Sequence, residues 1–198
     1  MSVGSTSSPL IDSLWTANAE ASRSAKLFRL AILALAGSMI IAISAQIAVP
    51  MWPVPMTMQT LAVTMIGATY GWRLGGATVA LYLAEGAMGL PVFAGGGSLA
   101  SLAGPTAGYL FAFVAAAALV GALMEKGWGQ SIFKTTLAMV VGYVVIFGGG
   151  VSWLSSFIGI EKALAAGLYP FMAGAAVKIA LAVALLPMVG KLVEKLRK

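Results

Sequence analysis

The stretch Phe171–Gly190, FMAGAAVKIALAVALLPMVG, decides the fold. At ~1.5 Å rise per residue a helix of this length crosses the ~30 Å hydrocarbon core of a bilayer. Its one charge is Lys178, and no other charge occurs from Ala163 to Gly190. A second stretch, Leu74–Met124, carries only Glu85. An ionisable group at membrane depth is costly unless it is paired, hydrated or ligated. A chain that keeps one charge of each sign there either locks two helices together or holds a polar solute between them.

The rest of the composition agrees with lipid as the solvent. Of 198 residues, 60% are hydrophobic and 9% charged, against about 25% charged in soluble domains. Cysteine and histidine are both absent. That excludes disulfides, thiol nucleophiles, imidazole bases and the usual zinc or iron sites. The six acidic residues are scattered, which argues against a carboxylate metal cage. No G-x-x-x-x-G-K-[ST] loop is present, so the chain does not hydrolyse ATP by that route. No metal and no cofactor are expected.

Working outward, residues 1–25 read as a polar, Ser-rich tail. A small apolar island at Leu10, Ile11, Leu14 and Trp15 suits a loose tail or a short surface helix. It lacks the compact basic-then-apolar form of a secretory leader. Residues 26–198 read as a membrane domain of six apolar segments, at about 27–49, 57–70, 74–89, 105–124, 132–157 and 171–193. The expected fold is all-α, a polytopic membrane protein with six transmembrane helices. The second and third segments are short for a full span, so part of their backbone is expected to be sheltered by protein.

Placing both termini in the cytoplasm puts ten of the twelve Lys and Arg residues inside: Arg23, Lys26, Arg29, Arg73, Lys126, Lys134, Lys191, Lys195, Arg197 and Lys198. The positive-inside rule selects this orientation. It also accounts for the net charge of +6 without any nucleic acid.

The external loops are then apolar and rich in Pro and Gly: VPMWPVPMT at 49–57, LPVFAGGGSLASLAGP at 90–105, and a third with Glu161 and Lys162 before Tyr169-Pro170. They either fold over a cavity as lids, with Gly95, Gly96 and Gly97 as permissive backbone, or form tight connections in the headgroup zone. Lys178 lies ~10 Å and Glu85 ~6 Å below the outer helix ends. Two readings stand for the charges. One is an interhelical pair, or an outward-snorkelling Lys178. The other is a ligand cradle completed by Thr57, Gln59, Thr60, Ser98, Tyr82, Tyr109 and Tyr143. Trp52 and Trp153 are interface-belt residues or cavity walls. On the first helix, Ala34, Ser38 and Ala42 recur every four residues, a stripe that admits close approach of another helix, within the chain or from a partner.

These residues carry a resemblance. The runs Val54–Leu61 (VPMTMQTL), Gly86–Gly97 (GAMGLPVFAGGG), Gly104–Leu110 (GPTAGYL), Trp153-Leu and Pro170–Lys178 (PFMAGAAVK) together resemble the BioY family, in order and at similar spacing. The resemblance covers nearly everything from the first helix to the end. It implies the biotin-binding S component of an energy-coupling factor (ECF) transporter, a multi-pass protein of the cytoplasmic (inner) membrane that captures biotin from outside with high affinity. Two ATPase subunits and a transmembrane coupling (T) subunit would supply the energy. It also implies that Ala34, Ser38 and Ala42 face the coupling subunit.

One departure matters. The family pattern has Asp three residues before the last-helix Lys, and here that position is Ala175. The expectation is that Glu85 takes over as acceptor. Biotin has two ureido N–H donors, a ureido carbonyl, an apolar thioether ring and chain, and a carboxylate. Glu85 would accept ureido N–H groups, and Lys178 would meet the carbonyl or the carboxylate. Gln59, Thr57 and the backbone of Gly95, Gly96, Gly97 and Ser98 would take the remaining groups, and Tyr82, Phe93, Tyr143 and Trp153 would wall the apolar part. The competing readings are an S component for another vitamin, a stand-alone channel or uniporter, and an intramembrane hydrolase pairing Lys178 with Ser98 or Ser101.

Overall fold

The computed structural model describes residue 9 and residues 23–196. The apolar island at Leu10, Ile11, Leu14 and Trp15 lies outside the described residues, as do Arg197 and Lys198. The elements are α1 (Arg23–Gln46), β1 (Ala48–Val49), β2 (Met56–Thr57), α2 (Gln59–Ala87), α3 (Ala107–Glu125), α4 (Ile132–Ile158), α5 (Ile160–Gly167) and α6 (Phe171–Leu196). Among the described residues the fold is all-α except for one antiparallel pair, Ala48 opposite Thr57 and Val49 opposite Met56, which closes the 49–57 loop at its base.

The expected second and third helices are the two limbs of α2. Gly71, at φ 78° and ψ 178°, breaks the helix in a conformation open to glycine and little else. Beyond it the chain folds back on itself. A Cβ on Gly75 would lie 3.1 Å from the Gly67 Cα, and Gln59 Nε2 donates to Tyr82 Oη at 2.7 Å near the open end of the hairpin. Glu125 holds the turn, its Oε1 accepting the Trp72 N–H at 3.0 Å. The limbs, 59–70 and 72–87, are ~18 and ~24 Å long, as the shortness of those segments foretold.

Glycine sets how closely α3 packs on this hairpin. A Cβ on Gly67 would collide with the Ala117 carbonyl and lie 2.9 Å from its Cα, and one on Gly121 would lie 2.5 Å from the Trp72 nitrogen. Backbone therefore meets backbone, the close approach that small residues allow between membrane helices. Around this contact run two buried apolar clusters. One centres on Ile41, Val63, Tyr82, Phe93, Phe113 and Ile146, the other on Ala68, Val120, Met139, Ala182 and Leu186.

The outward faces are apolar as well: Phe28, Met39 and Ile43 on α1, Phe133 and Val144 on α4, Val177 and Met188 on α6 are exposed. Among the described residues, four helices (α1, α3, α4 and α6) are long and apolar enough to cross a membrane. The chain is an integral membrane protein. The third expected external loop is instead mostly the short helix α5, which carries Glu161 and Lys162.

The small-residue stripe of α1 is used inside the chain at Ser38, which corrects the expectation that this residue faces a partner subunit. Ser38 is fully buried, Ala42 packs on the larger core cluster and Ala34 is half-buried. A Cβ on the adjacent Gly37 would meet Thr78 at 2.6 Å and Tyr70 at 3.1 Å. The helix it admits is α2.

Candidate functional site

The loops 47–58 and 88–106 both line a cavity of about 370 Å³ at one end of the bundle. Lys178 enters from α6 and is 91% buried, at 9% exposure. Its Nζ donates to the Thr57 carbonyl at 2.6 Å and to Thr60 Oγ1 at 3.4 Å. Both partners are neutral, and among the described residues no carboxylate pairs with this ammonium. Ala175, one helical turn earlier, also lines the cavity.

Gln59 organises the polar floor. Thr57 Oγ1 donates to its Oε1 at 2.9 Å, and its own Nε2 donates to Tyr82 Oη. Tyr82 Oη in turn donates to the Val92 carbonyl at 3.1 Å. Tyr143 donates to Thr60 Oγ1 at 3.2 Å, so α4, α2 and α6 converge on one threonine. Tyr109 donates across to the Gly167 carbonyl at 2.8 Å and presents its ring to the space.

Lys178, Gln59, Thr57, Phe93, Tyr109 and Tyr143 thus line one cavity, together with Thr60. Other expected residues do not. Tyr82 is fully buried behind Gln59 and holds its amide. Gly95, Gly96, Gly97 and Ser98 belong to the covering loop, but Phe93, Ala94, Ala100, Ser101, Gly104, Pro105 and Thr106 are its lining residues. Gly95 and Gly96, at φ 65° and 75°, turn the chain so that they themselves face outward. Trp153 is 40% exposed, and its Nε1 donates to the Gly104 carbonyl at 3.1 Å, bracing the loop from outside.

Glu85 is the main correction. It does not line the cavity and does not meet Lys178. It faces α1, where Ser38 Oγ lies 2.8 Å from its Oε1. Three residues round the helix from Tyr82, its side chain leaves the hairpin interior, and the close approach of α1 at Gly37 and Ser38 leaves it half-buried. Glu85→Gln should therefore leave ligand affinity within about twofold of the parent, because the carboxamide can keep the Ser38 contact. Equilibrium binding checks this.

Sequence reasoning overlooked the apolar walls Leu110, Phe113, Phe147, Phe171, Pro53, Val54 and Pro55. A usable signal existed for two of them: Phe113 follows Tyr109, and Phe147 follows Tyr143, by one helical turn. Lys178 bonds to Thr57 and Thr60 with no serine between, an arrangement that gives no support to a Ser–Lys nucleophile. A second cavity, of about 440 Å³, lies at the other end, bounded by Ala68, Gly71, Met124, Glu125, Val183 and Pro187.

Comparison with known proteins points one way. The family model described as the BioY family matches residues 17–195. A probable biotin transporter of Pyrococcus horikoshii is 39% identical over 142 residues, covering 71% of this chain and 83% of the relative. A biotin transporter of Lactococcus lactis is 38% identical over 74% of this chain and 81% of its own length, and one from Thermotoga maritima is 40% identical over 67% and 79%. A solved S component for biotin from an ECF-type ABC transporter superposes with a TM-score of 0.73 at 28% identity, over 87% of this chain and 94% of that one.

Proposed function

The chain belongs to the BioY family, and from that premise we propose that it takes up biotin as the substrate-binding S component of an ECF-type transporter. It is a transport protein and not an enzyme, and biotin is its cargo, not a cofactor. The observation that carries this reading is Lys178: a buried ammonium with only neutral partners, on the wall of an otherwise aromatic and aliphatic cavity. Such a site favours a small ligand with an apolar body and a strong acceptor oxygen. Biotin supplies both, and a volume of about 370 Å³ suits a ligand of its size.

In this reading Lys178 donates to an acceptor oxygen of biotin, while Thr57, Gln59 and Thr60 serve its remaining polar groups. Phe93, Tyr109, Tyr143, Phe147 and Phe171 enclose the ring and chain. The bundle crosses the cytoplasmic membrane six times, counting each limb of α2, with both termini inside and the cavity opening outward. The basic residues Arg23, Lys26, Arg73, Lys126, Lys134 and Lys191 all lie near helix ends on the side away from the cavity, which supports that orientation. Separate ATPase and coupling subunits energise release to the cytoplasm.

The test is titration of purified protein with labelled biotin, then with other vitamins as competitors. Saturable binding of one biotin per chain, undisplaced by the others, is the expected result; absence of binding rejects the substrate. Uptake into vesicles by this chain alone, without ATP or other subunits, would favour the uniporter instead. The floor has its own prediction. Gln59→Leu leaves the Tyr82 and Thr57 hydroxyls without their amide partner, so thermal unfolding should show a loss of about 1–3 kcal/mol, accompanied by weaker biotin binding.

A further inference from the structure

Gln46 ends α1 and reaches out of its own helix. Its Nε2 donates to the Phe93 carbonyl at 3.1 Å, closer than the Ala42 carbonyl of its own helix at 3.5 Å. Phe93 is the fully buried residue of the loop 88–106, at 2% exposure. Its ring fills the space over Gly86, where any Cβ would collide with it. It meets Tyr82 edge-on with ring centroids 5.2 Å apart and forms part of the cavity wall. The preceding carbonyl, that of Val92, is taken by Tyr82 Oη. Two successive carbonyls are thus held from two different helices.

Beyond these holds, the bonds at this point of the loop are its own turn, Phe93 N to Gly97 O at 2.9 Å and Gly96 N to Phe93 O at 3.1 Å. That turn runs through Gly95 and Gly96 at positive φ. It fixes the shape of the segment but not its seat on the bundle. None of the cavity-lining residues belongs to α1, so Gln46 is a direct side-chain bond from α1 to the wall.

We infer that Gln46 is a positioning residue that clamps the Phe93 wall onto the end of α1, so that opening of the cavity, and with it ligand escape, is governed from α1. The consequence for ligand escape rests on the cavity being the biotin site. A helix that touches no ligand still controls how long the ligand stays.

The chain has no cysteine, so Ala94→Cys places a single thiol on this wall. Its rate of maleimide labelling, without ligand, is compared in the parent and Gln46→Met backgrounds, and biotin dissociation is measured beside it. Methionine keeps the length of the side chain and removes the donor. Labelling and biotin dissociation should both speed up about fivefold, the scale of one neutral hydrogen bond, with a smaller change in association. Gln46→Arg, which restores a donor of similar reach, should bring both rates back. Unchanged labelling in Gln46→Met, or Gln46→Arg behaving like Gln46→Met, overturns the clamp. If the parent binds no biotin the functional reading falls, and the labelling rates still decide the clamp.

Discussion

Lys178→Met should weaken biotin binding roughly 10- to 100-fold, the range expected for losing a hydrogen bond from a charged donor in a buried site. Methionine preserves the apolar stem and removes the ammonium. In the structure that ammonium uses two of its three N–H groups on Thr57 and Thr60, which leaves one for a ligand. Its stability signature separates the two readings the sequence left open. If Lys178 served to lock helices, its loss would lower both affinity and thermal stability. As an ammonium held without a carboxylate it is costly to bury, so the empty variant should unfold at the parent temperature or above it while affinity falls. Biotinamide in place of biotin then reports which end of the ligand Lys178 meets. An equal loss with both ligands points to the ureido carbonyl, and a loss confined to biotin points to the carboxylate.

Gly67→Val should abolish the folded protein. At this crossing a Cβ would collide with the Ala117 carbonyl and lie 2.9 Å from its Cα, and backbone atoms do not swing aside as a side chain does. Overpacking in a core ordinarily costs about 1–3 kcal/mol. Here α3 would have to move away from the hairpin along a contact that also includes Gly121 and the Gly71 turn. Gly67→Ala should lower stability by about 3 kcal/mol, and Gly67→Val should give no monodisperse protein in detergent. Gly148→Ala on α4 is the control. Nothing lies within 4 Å of its added Cβ, so it should hold stability or raise it by up to about 1 kcal/mol. Size-exclusion profiles and thermal unfolding of the three variants decide the matter.

What the sequence revealed and what it hid follow from physical scale. Hydropathy and charge placement marked the apolar helices, and the shortness of 57–70 and 74–89 marked the two limbs that Gly71 joins. Polar residues isolated in apolar runs marked Thr57, Gln59, Tyr143 and Lys178, because each needs a partner wherever it lies. Phe171 carried no such mark: in a membrane helix an aromatic residue facing lipid, core or ligand reads the same. Glu85 was visible as an anomaly, but its partner was not. Which side of the second α2 limb faces the cavity depends on how α1 packs against it, and that rests on Gly37 and Ser38 fitting beneath Thr78 and Tyr70. The same contact turned Ser38 of the small-residue stripe inward. Gly95 and Gly96 announced a turn without announcing its direction, so their neighbours Ala94 and Ser101 reached the cavity in their place.

The central claim is that biotin occupies the cavity beneath the two loops, against Lys178. A structure of the purified protein determined with biotin tests it most directly. The account predicts density for one biotin enclosed by Phe93, Tyr109, Tyr143 and Phe171, with an oxygen of the ligand in hydrogen-bond reach of Lys178 Nζ. Density beside Glu85, or in the cavity bounded by Gly71 and Pro187 at the opposite end, would contradict it.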